Sequence, residues 1–165
     1  MNAICSIKTM RFLYVLRVVL VSIEAVILAG SWLSFTYFLD SLQLFATSVD
    51  LNEEVLKYLM LLPVAIAAWI ISETKLILQE DVETARILTH WPDYWKLKTH
   101  TWVSVAYSIV FAAMSLIPWA AKSGISTGYG MLLFIISIGG QLWLAISVYA
   151  ARIRVKEIIA HARTL

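Results

Sequence analysis

Charge is what this sequence has least of. Only 15% of its 165 residues are Asp, Glu, Lys or Arg, where a soluble domain carries about a quarter. Cysteine is nearly missing too: Cys5 stands alone, which excludes a disulfide scaffold and paired-thiol redox chemistry. The formal net charge of +2 is too small for a nucleic-acid binder, so no direct nucleic-acid partner is expected. Outside the apolar runs no stretch is long enough to bury a core of its own, since domains below roughly 40 residues rarely fold unaided.

What is present is hydrophobic: 61% of the chain, with a mean hydropathy of +0.80. Residues 25–39, 58–72, 99–121 and 123–151 contain no Asp, Glu, Lys or Arg, and together they make up half the chain. A span needs about 20 residues to cross a hydrocarbon core of roughly 30 Å. These runs therefore predict an all-α polytopic membrane protein, one membrane domain over 1–165, with four transmembrane helices at 18–39, 55–78, 101–121 and 128–151. Lys8, Arg11 and Arg17 precede the first run as they would in a secretory signal. The apolar stretch from Phe12 is nevertheless about twice the usual h-region, and it is read as a retained span.

Orientation follows from Lys and Arg beside the spans. Lys8, Arg11 and Arg17 lie before the first span, Lys75, Arg86, Lys96 and Lys98 between the second and third, and Arg152, Arg154, Lys156 and Arg163 after the fourth, against Lys57 and Lys122 on the other side. Both termini are expected in the cytoplasm of a bacterial inner membrane. The outer side then offers an acidic loop at 40–54 and a tight turn at 122–127. The inner side has a loop at 79–100 and a tail at 152–165. Residues 76–89 lack Gly and Pro and are expected to extend the second helix, until Pro92 ends it and opens the next. In the tail, Ile153, Ile158, Ile159 and Ala162 are expected to share a buried stripe while Arg154, Lys156 and Arg163 stay wet.

Few side chains are candidates for function. Glu24 lies about six residues inside the first span, and an intramembrane carboxylate is a functional hypothesis by default. It needs a proton or a partner, with Arg17 and Lys75 as the expected cations. It is read as a structural paired residue, as part of an ion or proton pathway, or as a contact between subunits. Gln141, in Ser137-Ile138-Gly139-Gly140-Gln141, is read as a packing amide between close helices, or else as a pore-lining one. Small residues recur at Gly30/Ser34, Ala68/Ser72 and Ser104/Ser108/Ala112. Pro63 and Pro118 are expected to bend their helices or shape a vestibule, and Trp32, Trp69 and Trp143 to pack in the core. Trp91, Tyr94, Trp95 and Lys96, with Arg154 and Lys156 on the tail, form an interfacial anchor or a surface for a partner. His90, His100 and His161 have no zinc-site spacing, and no nucleophile elbow, HExxH or phosphate loop is present, so neither enzyme, metal nor cofactor is expected.

Two resemblances follow. Four spans with Glu24 in Ser22-Ile23-Glu24-Ala25 resemble the small multidrug transporters, which implies proton-coupled export through that carboxylate. The layout of four spans, inward termini and a cytoplasmic stub resembles the small four-helix membrane subunits of bacterial antiphage defence systems, in particular that of the Kiwa system. That likeness implies a homo-oligomeric sensor of a membrane event that engages a cytoplasmic protein. The leading expectation is accordingly a non-enzymatic, oligomeric membrane subunit that recruits or signals to a soluble partner. The alternative is an ion channel or proton-coupled transporter using Glu24. A scaffold whose basic flanks bind membrane lipid is the third, since each cationic residue near an anionic surface contributes about 1 kcal/mol.

Overall fold

The computed structural model describes residues 2–48, 53–78, 86, 88–89, 91–120 and 127–163. Six helices are delineated among them: α1 (Asn2–Leu20), α2 (Ile23–Tyr37), α3 (Leu39–Ser48), α4 (Glu53–Leu78), α5 (Tyr94–Ala120) and α6 (Gly128–Arg163). The all-α polytopic class is as the composition predicts. Windows within α4, α5 and α6 are each long and apolar enough to span a membrane. The α1–α2 pair is the fourth candidate, if its two halves are one span.

Helices α4, α5 and α6 pack against one another as a three-helix core, with α2 and α3 laid on α6 and α1 resting on α5. Ile70 and Ile77 from α4, Phe111 from α5, and Leu144, Val148, Val155 and Ile159 from α6 fill its centre together with Leu88. The α6 contributors recur at steps of four and seven, the spacing of one helical face. Close approach depends on Gly140: a Cβ there would stand 2.6 Å from the Phe111 ring, whereas one at Gly139 would meet nothing within 4 Å. In lipid such packing matters more than apolar burial, because the surrounding tails are as apolar as the core.

The first span differs from the single helix expected at 18–39. It breaks at Val21–Ser22, and its halves, Met10–Leu20 and Ile23–Tyr37, are bent by 44°. The reason is local. Val18, Val19 and Val21 are β-branched and weaken the helix, and Ser22 then caps a new one by accepting a hydrogen bond from the Ala25 amide at 3.2 Å. The break frees backbone groups that lipid cannot satisfy. The Tyr107 hydroxyl donates to the Val19 carbonyl at 2.6 Å and meets that demand.

Other elements depart from expectation as well. The presumed outer loop at 40–54 contains α3, whose Gln43 side chain accepts a hydrogen bond from the Gly128 amide at 2.5 Å. A Cβ at Gly128 would come within 2.7 Å of the Gln43 backbone nitrogen, so glycine permits this contact. The tail continues α6 as a helical extension, as expected, but with a different buried stripe. Its buried side chains are Val155 and Ile159, while Ile153 and Ala162 are exposed, because the stripe keeps the register set by Leu144 and Val148. Trp32, Trp69 and Trp143 are not core residues: they are 71%, 41% and 38% exposed. An outward-facing indole needs no protein around it when its solvent is lipid. Pro63 and Pro118 lie inside α4 and α5 and are fully buried. Pro92 sits in the turn that precedes α5, as expected: the Tyr94 amide donates to Trp91 and the Lys96 and Leu97 amides to Asp93. The extension at 79–85, His90 and the turn at 121–126 lie outside the described residues.

Candidate functional site

The polar side chains of this bundle fall into three places. At its centre, Gln141 and Ser108, both fully buried, bond reciprocally across α5 and α6. The Gln141 amide donates to the Ser108 carbonyl at 2.7 Å, and the Ser108 hydroxyl donates to Gln141 Oε1 at 3.1 Å. Gln141 is thus a packing amide in this arrangement, seated on the small-residue step Ser104/Ser108/Ala112. One turn earlier on α6, the buried Ser137 hydroxyl has no hydrogen-bond partner among the described residues, and neither has that of Thr74 on α4.

The second place is a bridge from α4 to α6. Arg152 Nη1 donates to Glu73 Oε2 at 2.6 Å, with the two side chains 32% and 13% exposed. Sequence reasoning used Arg152 only to orient the chain and did not foresee this pair. The available signal was one carboxylate and one guanidinium at the same end of neighbouring spans.

The third place is a recess of about 520 Å³ at the end of the bundle where α4 finishes and α5 begins. Its ionisable lining comes from four helices and one turn: Tyr14 on α1, Glu24 on α2, Asp93 before α5, Lys96 and His100 on α5, and Arg154 on α6. Ile77, Leu97, Val148 and Val155 supply apolar wall. The 44° bend between α1 and α2 positions two of these groups. Tyr14 shares a hydrogen bond of 3.0 Å with His100 and stacks edge-on against Trp95 at 4.8 Å, while Arg11 lies over the same indole at 5.7 Å from its centroid. This cluster fastens α1 to the start of α5. Lys96 pairs with Asp93 at 2.7 Å and also lies 6.0 Å from the Trp95 centroid.

Glu24 therefore occupies the first turn of α2 rather than the interior of a continuous helix. A carboxylate there is favoured by the helix dipole. Among the described residues it forms no ion pair. The two cations expected for it, Arg17 and Lys75, are both exposed and not paired with it, since the break in the helix turns Arg17 onto a different segment. The structure instead brings Glu24 into one recess with Trp91, Lys96 and Arg154. Of the aromatics, Trp91 and Tyr94 pack half-buried against the core and Trp95 is held by Tyr14, so their rings serve the fold's own contacts first. Arg154 and Lys156 are exposed on α6. Tyr14 and His100 were not singled out as site residues from sequence; only the pairing itself reveals them. Among the described residues no three His, Cys, Asp or Glu side chains gather to hold a metal ion.

No family model, curated protein or solved structure matches this chain. Its function must be read from its own side chains.

Proposed function

We propose that this small polytopic membrane protein is a non-enzymatic, homo-oligomeric adaptor whose recess end faces the cytoplasm and docks a soluble protein there. The observation that carries the reading is the length of α6. Its 36 residues make about 54 Å of helix against a hydrocarbon core of about 30 Å. The helix overshoots the bilayer by some turns, and its overshooting end carries exposed Arg154, Lys156 and Glu157 beside the recess. The positive-inside count supports assigning that end to the cytoplasm. Arg154 and Lys156, two residues apart, face different sides of the helix and spread positive charge around its end, which suits a partner with an acidic surface.

Self-association is drawn from α2, which has no buried residue. Its Gly30 is exposed, and a Cβ there would meet nothing within 4 Å, so that glycine serves no contact inside one protomer. The layout resemblance to antiphage membrane subunits makes phage challenge the natural setting for the assay. Full-length tagged protein, gently solubilised from challenged and unchallenged cells, is compared with an Arg154→Glu/Lys156→Glu variant. A stoichiometric partner that is lost with the variant, at unchanged yield and oligomer size, supports the adaptor. Equal capture by both proteins contradicts it.

Transport through Glu24 is the second reading, and it rests on the recess. The fully buried Ile70, Phe111 and Leu144 around the Ser108–Gln141 pair close the centre of one protomer and count against a path through it. Proton or cation flux into liposomes that is abolished by Glu24→Gln would favour this reading over the adaptor.

A further inference from the structure

Two of the four charged side chains in the recess are matched: Lys96 is neutralised by Asp93. His100 is hydrogen-bonded to Tyr14. The other two charges are not matched. Glu24 and Arg154 line the same cavity, yet among the described residues neither makes an ion pair or a side-chain hydrogen bond, with each other or with anything else. Glu24 is half-buried beside apolar wall and gains from a partner that replaces the water it has lost, while the exposed Arg154 keeps its donors free for an incoming anion.

Their placement along the recess has a direction. Two hydrogen bonds pin α1 alongside α5: Tyr14 to His100, and further in, Tyr107 to Val19. Glu24 follows Val19 in the chain and so stands toward the inner end, where Ser104 and Ser147 also line the cavity. Arg154 lies two turns of α6 beyond Ser147 and is exposed at the mouth. The anion is inside and the cation outside. A purely anionic ligand would meet Glu24, and a purely cationic one would meet Arg154, so each is opposed by one end of the site. The volume of about 520 Å³ falls within the range of about 300–1,000 Å³ usual for small-molecule sites.

We propose that this recess binds a small zwitterion, a primary ammonium joined by a short linker to a phosphate or carboxylate. The ammonium enters first and donates to Glu24. The oxyanion is held at the mouth by Arg154, whose planar fork suits bidentate bonding to phosphate or carboxylate. The same chemistry occurs in a free amino-phosphate and in a free amino acid; a membrane lipid headgroup, whose phosphate lies on the acyl-chain side of its ammonium, would meet the two charges in the opposite order. Arg154 is shared with the proposed docking surface, so Glu24→Gln, which leaves that surface unchanged, is the variant that separates ligand binding from partner capture.

The test uses the full chain in phosphatidylcholine nanodiscs, with binding read by isothermal titration calorimetry. Free phosphoethanolamine is titrated against its halves, ethanolamine and inorganic phosphate. In a second arm, native mass spectrometry reads retention of phosphatidylethanolamine against phosphatidylglycerol. The expected result is that free phosphoethanolamine binds and is weakened about ten-fold or more by both Glu24→Gln and Arg154→Gln. Selective retention of the ethanolamine lipid without binding of the free compound contradicts the proposed order of the two charges. Glu24→Asp, which keeps the charge, should restore part of the affinity, and unchanged thermal melting of the variants shows that the fold is intact. Inorganic phosphate binding as tightly as phosphoethanolamine, indifference to Glu24→Gln, or no binding in either arm would overturn the proposal.

Discussion

Replacing Gln141 by leucine probes the centre of the bundle most directly. The wild-type side chain makes two hydrogen bonds to Ser108, one through each end of its amide. In a membrane each such bond is worth about 0.6 kcal/mol on average. Gln141→Leu keeps nearly the same volume and should therefore cost about 1.2 kcal/mol, or a factor of about 8 in the unfolding equilibrium. Ser108→Ala removes only the bond donated by its hydroxyl, because its carbonyl remains available to the Gln141 amide, so its cost should be about half as large. The double variant should cost no more than Gln141→Leu alone, which gives a coupling of about 0.6 kcal/mol. Gln141→Ala additionally leaves a cavity in a site that is fully buried, and its total should reach about 3 kcal/mol. Steric-trap or SDS-driven unfolding of the protein in bicelles measures all four. Additive single costs, or a Gln141→Ala no worse than Gln141→Leu, would refute the packing amide.

Three further outcomes follow from individual contacts. Gly140→Ala should destabilise by about 1–3 kcal/mol because its methyl would overlap the buried Phe111 ring, while Gly139→Ala, facing open space, should be neutral or slightly stabilising in the same unfolding assay. Tyr107→Phe removes the shorter of two side-chain donors to the Val19 carbonyl at the helix break, leaving only the Ser22 hydroxyl at 3.4 Å; amide exchange should quicken across 19–24 while the three-helix core keeps its protection, and uniform change across the chain would contradict the local role. Arg152→Ala strands Glu73, which is 13% exposed, so it should cost more than Glu73→Ala/Arg152→Ala together, with a difference of about 1–2 kcal/mol in thermal or SDS unfolding.

The order of charged and apolar segments made the spans and the charged end legible before any coordinates, and Pro92 marked where α5 would begin. Gln141 was readable as a packing amide because glycines beside it signalled close helices. The break at Ser22 was hidden for a physical reason. Its cap is a single hydroxyl inside an unbroken apolar run, and hydropathy does not register a bend. Glu24 consequently looked like an isolated charge within a span, when it is the acidic first turn of a second helix. The outward tryptophans were misjudged because lipid removes the link between apolar and buried on which periodicity arguments depend. The recess was only partly foreseen: Glu24, Trp91, Lys96 and Arg154 were each named, but their convergence needed the tertiary register of α1 on α5. Arg152 and Glu73, 79 residues apart, could be joined only by the fold.

The adaptor reading stands on what the recess end of the bundle holds in the cell, and the total mass of the intact assembly tests it most directly. Native mass spectrometry of the full chain, extracted with its surrounding lipid, should show multiples of 18.6 kDa plus a second polypeptide in fixed ratio, which disappears with Arg154→Glu/Lys156→Glu. A mass made only of this chain and lipid, identical for wild type and variant, would contradict it.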